Sequence, residues 1–258
     1  MHNYITFLRK ESMEMLRTKR LLGVLCVFVF FALSSPLLAR YMVEFIAALV
    51  PQEEGLAFLI PDPVWTDSYM QFYGNIAQIG VIALIVLFMG AIVSERQRGT
   101  TDLVITKGLS QMNFVLSKFS VISVTLLFTM LVSILLAYLY TFALFDEVGT
   151  MGNALLGALV YSLFLLLIVA LILLCSALAR SSAVAALLSF VGFLVILFIS
   201  SLPVVGRLFP GNLHERSMEI TTAGYFHGDL LGNVLLSLAL TALFLLLAVL
   251  VLKRREGE

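Results

Sequence analysis

Ionisable side chains are scarce in this sequence of 258 residues, of which 12 % are Asp, Glu, Lys or Arg and 61 % are hydrophobic. That balance excludes a disordered polypeptide, which has few apolar residues, and it argues against an ordinary soluble enzyme. The formal net charge is zero, so nothing in the composition points to a nucleic-acid-binding protein. The sequence therefore predicts a membrane protein.

Histidine and cysteine are also rare, with three and two copies. Cys26 and Cys175 both lie in apolar runs and form neither a disulfide framework nor a metal-binding pattern. The His-Glu pair at 214–215 is followed by Arg-Ser-Met, so the HExxH zinc motif is absent, and no Gly-Lys pair exists to form a phosphate-binding loop. We therefore expect no catalytic residue, metal ligand or cofactor on this chain.

Six charge-free apolar runs are each long enough to cross a bilayer, whose ~30 Å hydrocarbon core needs roughly 20 helical residues. The predicted spans are about 21–39, 71–94, 119–145, 152–179, 183–206 and 230–252. The first run has no clean small-x-small cleavage site after it, so a retained span is favoured over a signal peptide. The sequence predicts an all-α polytopic protein in which residues 1–258 form one transmembrane domain.

Basic residues fall mainly on one side of this topology. Of the sixteen Lys and Arg, thirteen lie on the side that holds both termini, together with six of the sixteen acids, so this side carries +7 and the other −7. Cytoplasmic segments carry the excess of Lys and Arg. Both termini are therefore predicted to be cytoplasmic, in a multi-pass protein of a cell membrane, the prokaryotic inner or plasma membrane.

Residues 1–20 are predicted to form an amphipathic helix that lies in the headgroup region before the first span. A stripe at helical spacing contains five apolar or aromatic residues: Tyr4, Ile5, Leu8, Met15 and Leu16. Lys10, Glu14 and Arg17 lie on the opposite face. An amphipathic helix of this kind binds the membrane interface, and a positively charged flank that merely fixes the topology is compatible with it.

The 95–118 loop is the longest cytoplasmic connection in this topology and contains signals for a separate short helix. Gly99 interrupts the incoming span, the Thr pair at 100–101 can cap a new helix, and Ser110 can cap the helix of the third span. The new helix, 101–107, would have about two turns and would carry three apolar residues: Leu103, Val104 and Ile105. Exposed apolar side chains favour a partner surface, and packing on the membrane or on the chain's own bundle is the alternative.

The predicted outer segments, 40–70 and 207–229, are long and half apolar. Aromatic residues at 65–73 are typical of a membrane interface. The segment 207–229 is compatible both with short interfacial or re-entrant helices and with a loosely structured loop.

The six spans contain no Asp, Glu, Lys, Arg or His, whereas proton relays and ion-coupled carriers place such groups at membrane depth. The polar residues there, such as Asn75, favour helix packing over ligand binding. A transporter built this way would take its energy from another subunit.

The loop sequence resembles that of a known family. The pattern SERQRGTTDLV at 94–104, followed by Ser110 and by Lys118-Phe119, is similar to the cytoplasmic loop of ABC-2 type permeases, the membrane subunits of ATP-binding-cassette exporters. PDP at 61–63, DSYMQF at 67–72 and NIAQIG at 75–80 resemble the branch grouped with the permease of nitrous-oxide-reductase maturation. One departure is Lys-Gly-Leu at 107–109, where many relatives have a Pro before the Ser.

The resemblance implies that two such subunits pair around a pathway and that each contacts an ATPase through a coupling helix after the second span. It places four residues in that contact: Glu95, Gly99, Thr100 and Leu103. We expect the contact to extend to the two apolar neighbours of Leu103, which are Val104 and Ile105. ATP and Mg²⁺ would bind to the ATPase partner. The second permease subunit would be another copy of this chain, so that the two form a homodimer surrounded by membrane lipid. The substrate-binding residues stay unknown.

The sequence thus favours an export permease for an amphipathic or hydrophobic cargo. One alternative is a non-transporting membrane anchor or sensor that uses the same ATPase contact. An intramembrane enzyme is disfavoured because the spans contain no paired carboxylates, metal ligands or activated nucleophile.

Overall fold

The computed structural model describes residues 2–49, 62–99, 110–203 and 206–256. These ranges are almost entirely helical and contain no strand, which confirms the predicted all-α class. Thr100, Leu103, Val104 and Ile105, together with the rest of the predicted 101–107 helix, lie outside the described residues.

The described residues form ten α-helices. They are α1 (His2–Arg17), α2 (Arg20–Leu49), α3 (Trp65–Asn75), α4 (Val81–Phe88), α5 (Val93–Gln97), α6 (Gln111–Leu144), α7 (Met151–Leu178), α8 (Ser182–Ser200), α9 (Leu213–Ala223) and α10 (Leu230–Glu256). A π-helical turn, Ile76–Gly80, joins α3 to α4, and two 3₁₀ turns, Gly206–Leu208 and Pro210–Asn212, precede α9.

Six helical segments are long and apolar enough to cross a membrane, as predicted. They are Arg20–Met42, Trp65–Gln97, Gln111–Leu144, Met151–Leu178, Ser182–Ser200 and Leu230–Arg254. The second of these combines α3, the π turn, α4 and α5. Several helices continue past the predicted apolar runs because helical hydrogen bonding tolerates polar residues where a cap or a packing partner is present. Ser110 illustrates this, because its Oγ accepts a hydrogen bond from the backbone N of Asn113 at 3.2 Å, as predicted, and lets α6 begin well before the apolar run.

Helix α7 lies at the centre of the bundle and α8 and α10 lie at its edge. Within the most apolar part of each span, 72 % of the residues of α7 are buried, against 22 % for α8 and for α10. Helix α7 contacts α6, α8, α9 and α10. The apolar outer faces of α8 and α10 are consistent with contact with lipid or with another membrane helix.

The N-terminal helix α1 packs against α6 through a face that overlaps the predicted stripe in part. Phe7, Glu11 and Met15 are buried, whereas Ile5 and Leu16 are exposed. Of the predicted stripe, Met15 thus lies on the packed face, and the exposed Ile5 and Leu16 are compatible with a helix in the headgroup region. The interfacial position of α1 stays a prediction. Burial of Glu11, which is not part of the stripe, depends on a cation from α6 that periodicity does not reveal.

The 207–229 segment contains a helix, which decides between the two alternatives left open for it. Helix α9 packs on α7 and ends at Gly224, whose φ of +64° is the left-handed conformation that favours glycine at a helix C-terminus. Gly157 of α7 lies directly beneath α9, and the Tyr73 hydroxyl lies 2.9 Å from Thr221 Oγ1 of α9. The outer segment is therefore a packed part of the fold.

Candidate functional site

The two ends of the 95–118 loop meet in a buried ionic cluster. Lys118, on the second turn of α6, donates to Glu95 Oε1 at 2.9 Å. It also donates to both carboxylate oxygens of Glu11 on α1, at 3.0 and 3.1 Å. Only 4 % of the Lys118 side chain is exposed. The cluster therefore fixes the start and the end of the loop relative to each other and to α1.

Lys10 completes this cluster from the more exposed side. Its Nζ lies 2.8 Å from Glu11 Oε1, 3.0 Å from Glu14 Oε2 and 2.7 Å from Glu95 Oε1. Burial opposes the charge on Lys10, but hydrogen bonds to Glu11 and Glu95 outweigh it and raise the pKa of Lys10 above its ordinary value. Two ammonium groups thus face three carboxylates, of which Glu14 is partly exposed, and this pairing explains how Glu11, Glu95 and Lys118 can be buried.

The same three carboxylates are close enough together to hold a metal ion. Lys10, however, contacts one oxygen of each carboxylate. Its ammonium therefore supplies the positive charge that a cation would otherwise provide. We assign the cluster a structural role rather than metal binding.

The second span is broken between α4 and α5, just before the loop begins. Ser176 of α7 bridges the break: its Oγ accepts hydrogen bonds from the backbone N of Ile92 at 3.0 Å and of Val93 at 3.1 Å. The same hydroxyl donates to the carbonyl of Met89 at 2.8 Å. One side chain thus satisfies three backbone groups that the interrupted helix leaves without helical partners, as burial in a membrane protein requires.

Helix α5 is also attached to the turn between α7 and α8. Arg96 Nη1 donates to the carbonyl of Ala177 at 2.8 Å, and Gln97 Nε2 donates to the carbonyl of Arg180 at 2.9 Å. Gly99 then ends the helical segment with a φ of +68°, in agreement with the predicted interruption. Helix α5 is therefore held by α1 and α6 on one side and by the α7–α8 turn on the other. We call this end of the bundle the basic end.

Two of the predicted contact residues can be placed. Glu95 is in the ionic cluster and Gly99 is at the end of the α5 segment. The other four lie outside the described residues: Thr100, Leu103, Val104 and Ile105. The role of all six in contacting a partner stays a prediction.

Sequence reasoning missed the partners of Glu95. Lys10 and Glu14 form an i,i+4 pair, a recognisable helical signal, but it was assigned to a polar outer face. Glu11 and Lys118 are separated by 107 positions, so their pairing has no local signal. The sequence around Ser176 likewise contains no signal of its bridging role, because small hydroxyl residues are common in membrane helices.

Replacing Ser176 by Ala should destabilise the junction of α4 and α5. The buried N–H groups of Ile92 and Val93 would lose their acceptor, and each buried unsatisfied group costs about 1–3 kcal/mol. Ser162→Ala is a matched control, because Ser162 is buried in the same helix and its hydroxyl donates only within that helix, to Ala158. SDS titration in mixed micelles would measure both unfolding free energies. An equal loss in the two variants would contradict the bridging role of Ser176.

Six membrane spans, a buried ionic cluster and a broken second span define a polytopic helical membrane protein in which both ends of the 95–118 loop are anchored. The model of a family described as "ABC-2 family transporter protein" matches residues 5–256. The chain therefore belongs to the ABC-2 transporter family.

The chain is also similar to a protein of Bacillus subtilis strain 168 described as "Uncharacterized transmembrane protein YxlG". The two are 26 % identical over 249 residues, which cover 93 % of this chain and 94 % of that protein. Members of the ABC-2 family are membrane subunits, generally non-catalytic, and the family implies partnership with an ABC ATPase subunit. The chain is thus a transport protein of the multi-pass membrane class.

Proposed function

We propose that this chain is the permease subunit of an ATP-driven ABC exporter in the prokaryotic inner or plasma membrane. ATP and Mg²⁺ bind to a separate ATPase subunit on the cytoplasmic side, and the excess of Lys and Arg supports a cytoplasmic position for the basic end. The observation that carries the proposal is the anchoring of the 95–118 loop at both ends, by Glu95 and Lys118, to each other and to α1.

This anchoring provides a route for mechanical coupling. An ATPase that moves residues 100–109 would pull on α5, which is bonded to the α7–α8 turn through Arg96 and Gln97. It would also pull on α6 and α1 through the ionic cluster. Because these bonds connect separate spans, a displacement of the loop acts on several membrane helices together.

A second permease subunit, most simply another copy of this chain, would complete the exporter. The outer face of α8 presents exposed apolar side chains, among them Leu187, Val191, Leu194 and Phe198, and α10 presents Leu235 and Leu246. Such faces suit either acyl chains or an apolar helix of the partner. A pathway lined by apolar and hydroxyl side chains would accept an amphipathic or hydrophobic cargo.

Replacing both Leu103 and Ile105 by Asp should remove the ATPase from the purified complex. Two carboxylates placed in an apolar contact would have to be desolvated without a cation, which strongly disfavours association. Affinity purification in mild detergent, followed by mass spectrometry for an ATPase with a phosphate-binding loop, measures the effect. We expect retention to fall at least roughly tenfold, the equivalent of about 1.4 kcal/mol.

Tyr225→Asp combined with Phe226→Asp is the control. Both residues are exposed and lie at the opposite end of the bundle, and the pair introduces the same charge. This variant should retain the ATPase. Co-purification unchanged by the Leu103 and Ile105 substitutions would contradict the coupling assignment. ATP hydrolysis without cargo movement in vesicles would favour the membrane-anchor alternative.

A further inference from the structure

A groove of about 380 Å³ lies between α1, the start of α2 and the first half of α6. Its walls are mainly apolar and include Leu8, Met15 and Leu16 of α1 and Val121 and Val124 of α6. The volume lies within the range of about 300–1000 Å³ that is typical of small-molecule sites. The groove is open, and 67 % of Val124 and 62 % of Leu16 are exposed.

The position of the groove determines what it can contact. Two of its walls are parts of membrane-spanning segments, α2 and α6, whereas the third wall is the amphipathic helix α1. A groove bounded in this way runs from the membrane interface toward the hydrocarbon region. Acyl chains are the apolar groups present at that depth, and they are available there at high concentration.

Three cations are neighbours in sequence of residues that line the groove, one within α1 and two at its junction with α2. Arg9 is on the exposed face of α1 that also carries Ile5 and Leu16, and Lys19 and Arg20 form the turn that leads into Leu21, a wall of the groove. In the described part of the chain, the ion pairs at the basic end involve Lys10 and Lys118 and none of these three cations. Their charge is therefore available to an external anion.

We propose that the groove binds one acyl chain of an anionic phospholipid and that Arg9, Lys19 and Arg20 hold its phosphate-containing headgroup. The apolar walls and the unpaired cations match the two parts of such a lipid, and neither feature alone would select it. Guanidinium groups bind phosphate through paired hydrogen bonds, and clustered basic residues at a membrane surface attract anionic lipids. A zwitterionic lipid offers the same chain but no net negative charge.

The groove is adjacent to the ionic cluster. Met15 and Val121 also line a small cavity whose other walls include Glu11, Arg20 and Lys118. A bound lipid therefore fills the space next to the contact between α1 and α6. It holds α1 in the position in which Glu11 reaches Lys118.

Native mass spectrometry of the full chain tests the proposal. The protein would be purified in mild detergent and exposed to an equal mixture of phosphatidylglycerol and phosphatidylcholine with identical acyl chains. We expect the wild-type chain to retain phosphatidylglycerol about tenfold more than phosphatidylcholine. The triple variant with Arg9→Gln, Lys19→Gln and Arg20→Gln should lose this preference.

The charge-matched control carries Arg180→Gln, Lys253→Gln and Arg254→Gln. These three residues are exposed and lie outside the groove, and their substitution removes the same charge. This variant should therefore keep the preference for phosphatidylglycerol. Equal losses in the two triple variants would attribute retention to general surface charge and overturn the site. Equal retention of both lipids by the wild-type chain would also overturn it.

A second pair of variants tests the acyl-chain part separately. Val124→Trp fills the groove and should reduce the retained phosphatidylglycerol about tenfold, whereas Leu139→Trp, on an exposed part of the same helix, should not. Undiminished retention by Val124→Trp would overturn the groove as the binding site. A crosslink from Val124→Cys to a second copy, in place of lipid retention, would assign the groove to a protein contact and equally overturn the proposal.

Discussion

Lys118→Met is expected to destabilise the protein by about 3–5 kcal/mol, the range found when one partner of a buried ion pair is removed. Lys118 donates to Glu11 and to Glu95, and Phe114 lies against its ammonium, with 5.0 Å between Nζ and the ring centroid. Without Lys118, the carboxylates of Glu11, Glu14 and Glu95 share the single ammonium of Lys10. The two buried carboxylates, Glu11 and Glu95, are then no longer fully compensated, which is costly in a medium of low dielectric constant.

SDS titration of the purified chain in mixed micelles would measure this loss. Lys253→Met is the control, because Lys253 is exposed near the C-terminus of α10 and should change stability by less than about 0.5 kcal/mol. The double variant Lys118→Met with Glu11→Met should recover most of the loss, since removing both partners leaves no uncompensated charge on that pair. A Lys118→Met variant as stable as the Lys253→Met control would contradict the stabilising role of the cluster.

Gly157→Ala should displace α9 from α7. An added Cβ would overlap Thr221 Oγ1 and would lie 2.6 Å from the backbone carbonyl of Ser217 and 3.0 Å from the Tyr73 hydroxyl. A side chain can rotate away, but the backbone of α9 cannot, so the whole helix has to move. Overpacking of this kind costs about 1–3 kcal/mol or more, and the better helix propensity of Ala, about 1 kcal/mol, only partly offsets it.

Gly152→Ala provides a control of opposite expected sign. Gly152 is in the same helix, and nothing lies within 4 Å of the position its Cβ would take. This substitution should therefore leave stability unchanged or raise it by up to about 1 kcal/mol.

Trp65 offers a local measurement of this displacement, because its ring packs against Gly149, whose surroundings also include the backbone of α9 at Thr221. It is the one Trp of the chain. A red shift of its emission is expected for Gly157→Ala alone. Identical emission and stability in the two alanine variants would contradict tight packing between α7 and α9.

The apolar runs were sufficient to predict the class of the fold and the number of spans. Length and hydropathy depend on local composition, and the hydrocarbon core imposes both on each helix separately. The ends of the helices were harder to predict from the apolar runs, because they depend on local interactions such as the Ser110 cap. The break between α4 and α5 could not be predicted, because the group that makes it tolerable, Ser176, comes from a different helix.

The position of the candidate site could be predicted in part, whereas its role stays a prediction. The loop motif directed attention to Glu95 and Gly99, and the structure places both at the base of the loop. The interactions of Glu95 depend on α1 and α6, and Glu11 was not singled out because a carboxylate next to Lys10 is usually exposed. Pairings between distant positions are visible only once the helices are packed.

The wide sequence separation within the ionic cluster has a consequence for biogenesis. Glu11 emerges from the ribosome 107 residues before Lys118, an interval of roughly 5–20 s at ordinary synthesis rates. During that interval the first two spans can enter the membrane, and Glu11 has its neighbour Lys10 as a partner but not yet Lys118. Helix α1 therefore cannot complete its contact with α6 until the third span has been made, and the base of the loop closes only at that point.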